Sequence, residues 1–266
     1  MWHNLAQLLR YRGLIQSLVA RELKARYRGS ALGIFWSFGN PLLLLSVYTL
    51  VFRYIMPNKE ELTRPYSVFL FCGLLPWTWF TASLLEASGS LITGGNLIKK
   101  VLFPAEVLPI VSVLSNMVHY FAGLLILAGF MIYTHHYPDP ADLIWFPVVV
   151  LIQLVFTLGL ALIVAALTVH FRDIRDLLSN ILTFWFFVTP IIYFYQQETV
   201  EKFSQYFKWN PFFHLSVSYQ EVLFFHGSFV EGHLRSLLLM GVASTALFVV
   251  GYWVFNRLRD SFAEAV

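Results

Sequence analysis

The chain has 266 residues, of which 58% are hydrophobic, 18% aromatic and only 12% charged, with a formal net charge of +3. This apolar content lies above the roughly 45–50% of soluble domains and excludes an intrinsically disordered chain. The single cysteine, Cys72, excludes an internal disulfide framework. The composition indicates a membrane protein whose function depends on where its few charges fall.

The first predicted element is an amphipathic helix over residues 5–28. Its apolar side chains recur at steps of three and four residues: Leu5, Leu8, Tyr11, Ile15 and Leu18. The basic residues between them suit anionic headgroups, so we expect this helix to lie on the inner membrane surface. An ordinary basic segment beside the membrane is the alternative interpretation. Residues 29–33, with two glycines, predict a bend into the first span.

Six apolar runs, each able to cross a hydrocarbon core about 30 Å thick, follow this helix. The predicted spans are residues 32–56, 66–87, 106–134, 143–170, 177–195 and 234–255. The predicted fold class is therefore an all-α polytopic membrane protein with six transmembrane helices. With the N-terminus inside, 12 of the 18 lysines and arginines fall on the cytoplasmic side and six on the other. The positive-inside rule thus places both termini in the cytoplasm.

The connector between spans two and three, residues 94–106, has the features of a short rigid element. Asn96 is a residue type that caps a helix start, and Pro104 pushes Phe103 out of helical geometry. Lys99 and Lys100 project side by side on the predicted cytoplasmic face. We interpret this connector as a surface that another protein grips.

Motifs for enzymatic chemistry are scarce. The sequence has no phosphate-binding loop, no zinc-protease motif and no serine-hydrolase motif. Proton or sodium coupling requires an intramembrane acid. The polar residues that we identify within the spans include no such acid: Asn116, His119, Gln153, Asn180, Thr183 and Thr189. Transport driven by a separate ATPase therefore fits the chain better than a passive pore or an ion-coupled carrier.

The nearest approach to a metal motif is residues 172–176, between spans four and five. Asp173 and Asp176 could hold Mg²⁺ on a lipid diphosphate in a membrane-bound enzyme. In the simpler interpretation, Asp173 caps span five and the adjacent arginines neutralise both acids. We expect no metal site and no catalytic residue.

Residues 196–233 are too apolar for a solvated loop and too polar for a span. Two short helices that break at Asn210–Pro211 and dip back into the outer leaflet fit this pattern, since irregular backbone at that depth requires protein or a watery cavity beside it. Interfacial helices at headgroup level are the alternative. Seven aromatic residues are candidates for a translocation path or an exit gate, with core packing as the alternative for each: Trp36, Tyr48, Trp77, Trp185, Tyr193, Phe212 and Phe213.

Four segments, in this order, resemble the permeases of ABC-2 type exporters, most closely those for O-antigen, capsular polysaccharide or teichoic acid. They are residues 21–36 followed by Asn40–Pro41, then residues 96–109, 170–176 and 209–211. The resemblance implies a single transmembrane domain over residues 1–266. Its parts are the interface helix at 1–30, spans one to five at 31–195, outer re-entrant helices at 196–233, and span six with a cytoplasmic tail at 234–266.

The resemblance also implies a homodimer in the bacterial inner membrane, joined to two copies of a separate ATPase. ATP and magnesium would bind to the ATPase, so this chain would hold no cofactor, and no nucleic-acid partner is expected. The cargo would be a polysaccharide on undecaprenyl diphosphate, with Arg26 and Arg28 near the diphosphate. Export of a drug or a small lipid is the alternative within transport. The ATPase-coupling role would fall on Asn96, Leu97, Ile98, Lys99, Lys100, Val101, Leu102 and Phe103.

Overall fold

The computed structural model of the chain is built from helices, and the residues that it describes contain no β-strand. Those residues are 11–55, 65–99, 103–195, 204–225 and 232–265. The predicted all-α class is confirmed for them. The helices are α1 (Arg12–Arg26), α2 (Trp36–Thr49), α3 (Tyr66–Thr93), α4 (Gly95–Ile98), α5 (Val107–Thr134), α6 (Pro140–Leu143), α7 (Phe146–His170), α8 (Ile174–Val188), α9 (Ser204–Phe207), α10 (Pro211–Leu223) and α11 (Leu234–Ala265).

Four helical segments are long and apolar enough to cross a membrane: Tyr66–Thr93, Val107–Thr134, Pro140–His170 and Leu234–Phe262. They correspond to the predicted spans two, three, four and six. The predicted first and fifth spans contain shorter helices, α2 with 14 residues and α8 with 15 residues. The first of these continues through a π-helical turn at Leu50–Ile55.

The helices run alternately between two ends of the bundle. We call the end that holds α1, α4 and the start of α5 the α1 end, and the end that holds α6, α10 and the start of α11 the α10 end. At the α10 end, His136 Nε2, just after α5, lies 2.8 Å from the Phe224 carbonyl oxygen. At the α1 end, His170 Nε2 of α7 lies 3.0 Å from Ser261 Oγ of α11. Thus α1 and the last turns of α11 share one end.

Helix α3 lies in the middle of the bundle, and most of its side chains are buried. Gln153 of α7 donates a hydrogen bond from Nε2 to the Pro76 carbonyl oxygen of α3 at 2.8 Å. Helices α7 and α11 meet at Gly159 and Gly251, where a Cβ on Gly251 would lie 2.3 Å from the Gly159 carbonyl oxygen. Small residues permit such close backbone approach between membrane helices.

The apolar face of α1 packs on protein at the start of α5, and the expected position of this helix on the membrane surface stays a prediction. Leu18 is buried against Val107 and Val111 at the start of α5. This packing occurs because α5 presents a complementary apolar stripe at the point where α1 passes it. Leu5 and Leu8 lie outside the described residues. Further side chains of this face pack against the same cluster: Tyr11, Leu14, Ile15 and Val19.

The predicted bend after α1 is confirmed. Gly29 and Gly33 have φ angles of 80° and 50°, in the left-handed region that glycine adopts without a steric penalty. The chain thereby reverses from α1 into α2, and Tyr27 at the end of α1 comes to lie beside Ser37 in the first turn of α2.

Two helices occupy the described part of residues 196–233, and they break at Asn210–Pro211 as predicted. Asn210 caps α10 by accepting a hydrogen bond from the Phe212 backbone N–H at 3.0 Å. Pro211 occupies the first turn, where its missing N–H is not needed. Helix α10 packs against α3, α6, α7 and α11, and nearly all its side chains are buried.

Candidate functional site

The connector between α3 and α5 contains α4, which is anchored by its apolar side chains. Leu97, Ile98 and Phe103 pack against a cluster at the α1 end that includes Phe255 and Phe262 of α11. Phe103 is non-helical, as Pro104 predicts. The C-terminal part of α11 therefore supports α4 from behind.

The other described side chains of α4 face outward. Asn96 and Lys99 are exposed. The prediction that Asn96 caps the helix is wrong, because α4 begins one residue earlier, at Gly95, with Gly94 in the capping position. Glycine fits position 94 because a Cβ there would lie 2.4 Å from a Leu108 methyl carbon. Three predicted coupling residues lie outside the described residues: Lys100, Val101 and Leu102.

An ion pair reinforces this support. Glu106, buried at the start of α5, faces Arg259 of α11, with Oε2 and Nη1 3.8 Å apart. Together with the contact between His170 and Ser261, it ties α11 to both α5 and α7. The exposed face of α4 is thus backed by α11, which is itself tied to α5 and α7.

Beside this connector, side chains from α1, α3 and α5 form a closed polar ring, which we call the clasp: Arg26, Glu86 and Asn116. Arg26 donates from Nη2 to Glu86 Oε2 at 2.6 Å and from Nη1 to Asn116 Oδ1 at 3.1 Å. Asn116 donates from Nδ2 to the same oxygen of Glu86. Each side chain therefore binds both others, and the end of α1 is fixed to two spans at once.

A second ring lies next to the clasp and consists of Tyr27, Ser37 and His119; we call it the hydroxyl ring. The Tyr27 hydroxyl lies 2.7 Å from Ser37 Oγ and 3.3 Å from His119 Nδ1, which is 2.9 Å from Ser37 Oγ. Tyr27 follows Arg26 directly, and His119 lies one helical turn beyond Asn116. The two rings thus join α1 to α2, α3 and α5.

Two cavities flank the clasp. The first, about 460 Å³, lies between α1, α2, α3 and α5, and its wall includes Arg26, Asn116, the hydroxyl ring and Trp36. The second, about 390 Å³, lies nearer to α4, and its wall includes Glu22, Glu86 and Asn96. The clasp is therefore the partition between a mixed aromatic and polar cavity and a charged one.

The charged cavity perturbs Glu22 of α1. Burial, together with the negative charge of Glu86, raises the pKa of Glu22 above its ordinary value of 4.5, and Arg26 and Arg21 oppose this shift. Two carboxyl groups thus compete for the positive charge at the end of α1.

Glu86 is the site residue that sequence reasoning missed. It lies within the predicted second span, yet we counted no acid among the polar groups of the spans. The available signal was a lone carboxylate near the end of an apolar run, which requires a partner when it is buried. The partner, Arg26, is 60 positions away, a separation that no local pattern identifies.

Most of the predicted path residues meet in one aromatic cluster. The Trp77 ring centroid lies 6.2 Å from that of Trp185 and 4.9 Å from that of Phe212. Phe186 lies 5.9 Å from Trp77 and 6.4 Å from Tyr48, and so joins Tyr48 to the group. Phe212 is fully buried there. A role for these rings in a path or gate stays a prediction, and within this chain they belong to the hydrophobic core or pack against it.

The remaining aromatic candidates lie elsewhere. Tyr193 and Phe213 both contact Phe207, each with centroids 6.3 Å apart, beside α9. Trp36 lies instead on the first cavity, next to the hydroxyl ring. The sequence-predicted set is therefore divided between the two ends of the bundle.

The acid pair at the start of α8, Asp173 and Asp176, is exposed. Asp173 occupies the capping position of α8, as predicted, but its side chain makes no capping hydrogen bond. Nowhere in the described ranges do three or more metal-binding side chains converge. Of the two arginines predicted to lie near a diphosphate, Arg28 is exposed and Arg26 belongs to the clasp.

The long apolar helices and the braced connector define this chain as a polytopic helical membrane protein. It belongs to the ABC-2 type transporter family, whose sequence profile matches residues 13–224. It is 38% identical over 263 residues to the O-antigen export system permease protein RfbA of Myxococcus xanthus, covering 98% of both chains. It is 32% identical over 264 residues to the protein of that name in Klebsiella pneumoniae, covering 99% of this chain and 98% of the relative.

A more distant relative comes from Neisseria meningitidis serogroup B. The capsule polysaccharide export inner-membrane protein CtrC is 24% identical over 218 residues, covering 80% of this chain and 78% of the relative. The family resemblance carried by four sequence segments is thereby confirmed.

Proposed function

We propose that this chain is the permease subunit of an ATP-binding-cassette exporter that moves a polysaccharide linked to undecaprenyl diphosphate across the bacterial inner membrane. The observation that carries the proposal is the 38% identity, along 98% of the chain, to a protein named as an O-antigen export permease. The aligned region includes the connectors at both ends of the bundle as well as the apolar helices. The similarity is therefore more specific than a shared pattern of membrane helices. O-antigen or a similar polymer is therefore the proposed cargo.

In this proposal the chain crosses the membrane six times. Helix α2 with its π-helical turn forms the first span, α8 forms the fifth, and α9 with α10 dips in from the outer side. The alternation of helices between the two ends of the bundle supports six crossings. The α1 end then faces the cytoplasm, as the positive-inside rule requires, with both termini on that side.

The exposed face of α4 is the proposed docking point for the partner ATPase, one copy for each permease. Lys99 and Asn96 point outward there, while Leu97, Ile98 and Phe103 hold the element in place. The ATPase binds ATP and magnesium, and the permease itself catalyses no reaction. A short helix braced by α11 suits this role, since a flexible loop would absorb the movement that it should transmit.

A second copy of the chain is proposed to pack against α2 and α8. Both helices expose large apolar side chains, among them Leu43 and Val47 of α2 and Phe184 and Phe187 of α8. The two helices lie next to each other, as the contact between Tyr48 and Phe186 indicates. A second copy together with lipid would cover this continuous apolar surface.

The diphosphate of the cargo is proposed to contact Arg28 first. Arg28 is exposed at the bend after α1, whereas the guanidinium of Arg26 is already bound by Glu86 and Asn116. Arg26 becomes available only if it leaves the clasp. Trp36, on the adjoining cavity, offers an aromatic surface to the sugar that follows the diphosphate.

Reversing the charge of the connector tests the coupling role. We expect the double variant Lys99→Glu and Lys100→Glu to insert normally, because both changes fall in a connector outside the predicted spans and Lys99 is exposed. Export should fall by at least about tenfold, since an interface charge pair replaced by a repulsive one costs roughly 1.5 kcal/mol or more. The measurement is polymer at the cell surface, together with ATP hydrolysis by the purified complex.

The matched control is Lys208→Glu, which reverses an exposed lysine at the α10 end. It should leave export unchanged. Normal surface polymer in the double variant of the connector would contradict the coupling role. Deletion of the gene, followed by chemical analysis of the polymer that disappears, distinguishes O-antigen from capsule as the cargo.

A further inference from the structure

We propose that the clasp transmits the movement of α1 to α3 and α5, with Glu86 as the positioning residue that holds Arg26. The inference rests on the proposed function in one respect, namely that a partner ATPase supplies the movement. The clasp is suited to transmission because it joins three separate elements within a single ring of hydrogen bonds.

The middle and the C-terminal end of α1 are attached in different ways. The middle of the helix is held by Leu18 in the apolar cluster with α5. The end is held by the clasp and the hydroxyl ring, and directly beyond it the chain turns at Gly29. A displacement of α1 therefore reaches the spans through Arg26 and Tyr27, the last attachments before the bend.

The surroundings of the clasp indicate that the ion pair between Arg26 and Glu86 can open, and that it is not locked in place by packing. The Arg26 and Glu86 side chains retain 31% and 25% exposure. Cavities of about 460 Å³ and 390 Å³ on its two sides leave room for α1 to shift and for water to enter. Glu22 lies within hydrogen-bond reach of Glu86 in the wall of the second cavity and competes for Arg26, while Arg21 and Arg175 in the same wall add positive charge.

A direct role for Arg26 as a ligand of the substrate diphosphate is the competing explanation. The two explanations differ in the charge that position 26 requires. A ligand of an anion must be positive, whereas a clasp needs only opposite charges at positions 26 and 86. Asn116 can hydrogen-bond to both side chains with the charges in either order, because its amide group has both donors and an acceptor.

The decisive experiment exchanges the two charges. Arg26→Glu alone and Glu86→Arg alone should each lower the polymer exported per ATP hydrolysed by about tenfold or more, because each places like charges together. The combined variant, Arg26→Glu with Glu86→Arg, should recover to within about threefold of the unmodified protein, allowing for imperfect geometry. Failure of the combined variant to recover, while it assembles with the ATPase, would overturn the proposal in favour of the ligand role.

Hydrogen exchange of the α1 amides in the assembled complex provides a readout that needs no cargo. The single variants should accelerate exchange across Arg12–Arg26, and the combined variant should restore it. Should the reversed charges prevent assembly, Glu86→Gln and Arg26→Gln test the same point with neutral side chains of similar size. Unchanged exchange in these neutral variants would overturn the proposal. Exchange that behaves as expected in a complex that exports no polysaccharide would sustain the clasp and reject the proposed cargo instead.

Discussion

The two ends of the bundle each attach a helix that does not cross it, and they do so by opposite means. At the α1 end, Leu18 packs the middle of α1 on an apolar cluster, but the C-terminal end of α1 is held by an ion pair and hydroxyl groups beside two cavities. At the α10 end, α10 is enclosed by spans and packed on aromatic rings such as Trp77 and Phe80. Even its polar residue Gln220 is buried, donating to the Pro190 carbonyl oxygen at 2.7 Å.

This difference matches what each end must do in an exporter. Hydrogen bonds between charged groups can exchange with water or with other partners at small net cost, so they suit a joint that moves. Close-packed rings lose contact energy at once when they separate, so they suit a seal. Three predictions test this contrast, beginning with the largest effect.

Truncation of Phe212 should have the largest effect on stability. Its ring is 0% exposed and packs against Trp77 and Phe80, so Phe212→Ala leaves a cavity that costs about 3–5 kcal/mol. We expect the midpoint of thermal unfolding in detergent to fall by roughly 10 °C. The matched control is Tyr133→Ala on α5, outside the surface proposed for a second copy, where the ring is 81% exposed and its loss should change the midpoint little. Equal effects of the two truncations would contradict the assignment of Phe212 to the core.

Removal of the α10 cap should have an intermediate effect. The Asn210 side chain accepts hydrogen bonds from Trp185 Nε1 at 2.6 Å and from the Phe212 N–H, and it donates to Thr189 Oγ1 at 2.9 Å. Asn210→Ala leaves these groups without their partner, so we expect a loss of about 2–3 kcal/mol in unfolding free energy. Asn256→Ala, at an exposed position of α11, is the control. A loss no larger than that of the control would show that packing alone positions α10.

Titration of Glu22 should have the smallest effect, and it concerns the α1 end. Because the native pKa of Glu22 is raised, the folded state binds more protons than the unfolded state between the ordinary and the raised value. Docking of α1 should therefore strengthen as the pH falls from neutrality through the raised value, and level off below 4.5. Solvent screening limits the gain to less than about 1 kcal/mol.

The measurement is hydrogen exchange of α1 amides as a function of pH, corrected for the intrinsic rate. Glu22→Gln should remove this component of the pH dependence, while the charges of Arg21, Arg26, Glu86 and Arg175 remain. An unaltered pH profile in Glu22→Gln would assign the effect to another group. The same substitution at Glu106, which faces Arg259, tests whether the response is confined to the clasp.

Much of the fold could be predicted from the sequence because most helices and their ends are marked by local sequence patterns. The apolar runs of α3, α5, α7 and α11, the glycines after α1 and the break at Asn210 are local patterns, and the structure confirms them. The capping role of Asn96 was wrong because Gly94 occupies the capping position and Asn96 already lies inside the helix, and a suitable residue type alone does not fix where a helix begins. The apolar face of α1 was recognised correctly, but its partner was not, since any complementary apolar surface satisfies such a face.

The residues of the candidate site also differ in whether a local pattern or only a distant contact reveals their role. Lys99 is visible as a charge in a connector, and its exposure needs no distant partner. Glu86 was overlooked because its meaning depends on Arg26 and Asn116, which belong to other helices. Phe212 was noticed for its aromatic ring, but only the packing reveals that the ring lies inside the protomer.

By itself, the sequence determined the class of this protein, its helices and the place of its charged connector, because hydrophobicity and helix-ending residues act over short separations. The four family segments, in their order, likewise determined the ABC-2 assignment. The tertiary structure alone decided which charges pair, where α1 packs and which aromatic rings form the buried cluster beside α10. Those outcomes depend on contacts between residues far apart in the chain, and they arise only when the helices have packed. Arg26, for example, pairs with Glu86 60 positions away and with Asn116 90 positions away.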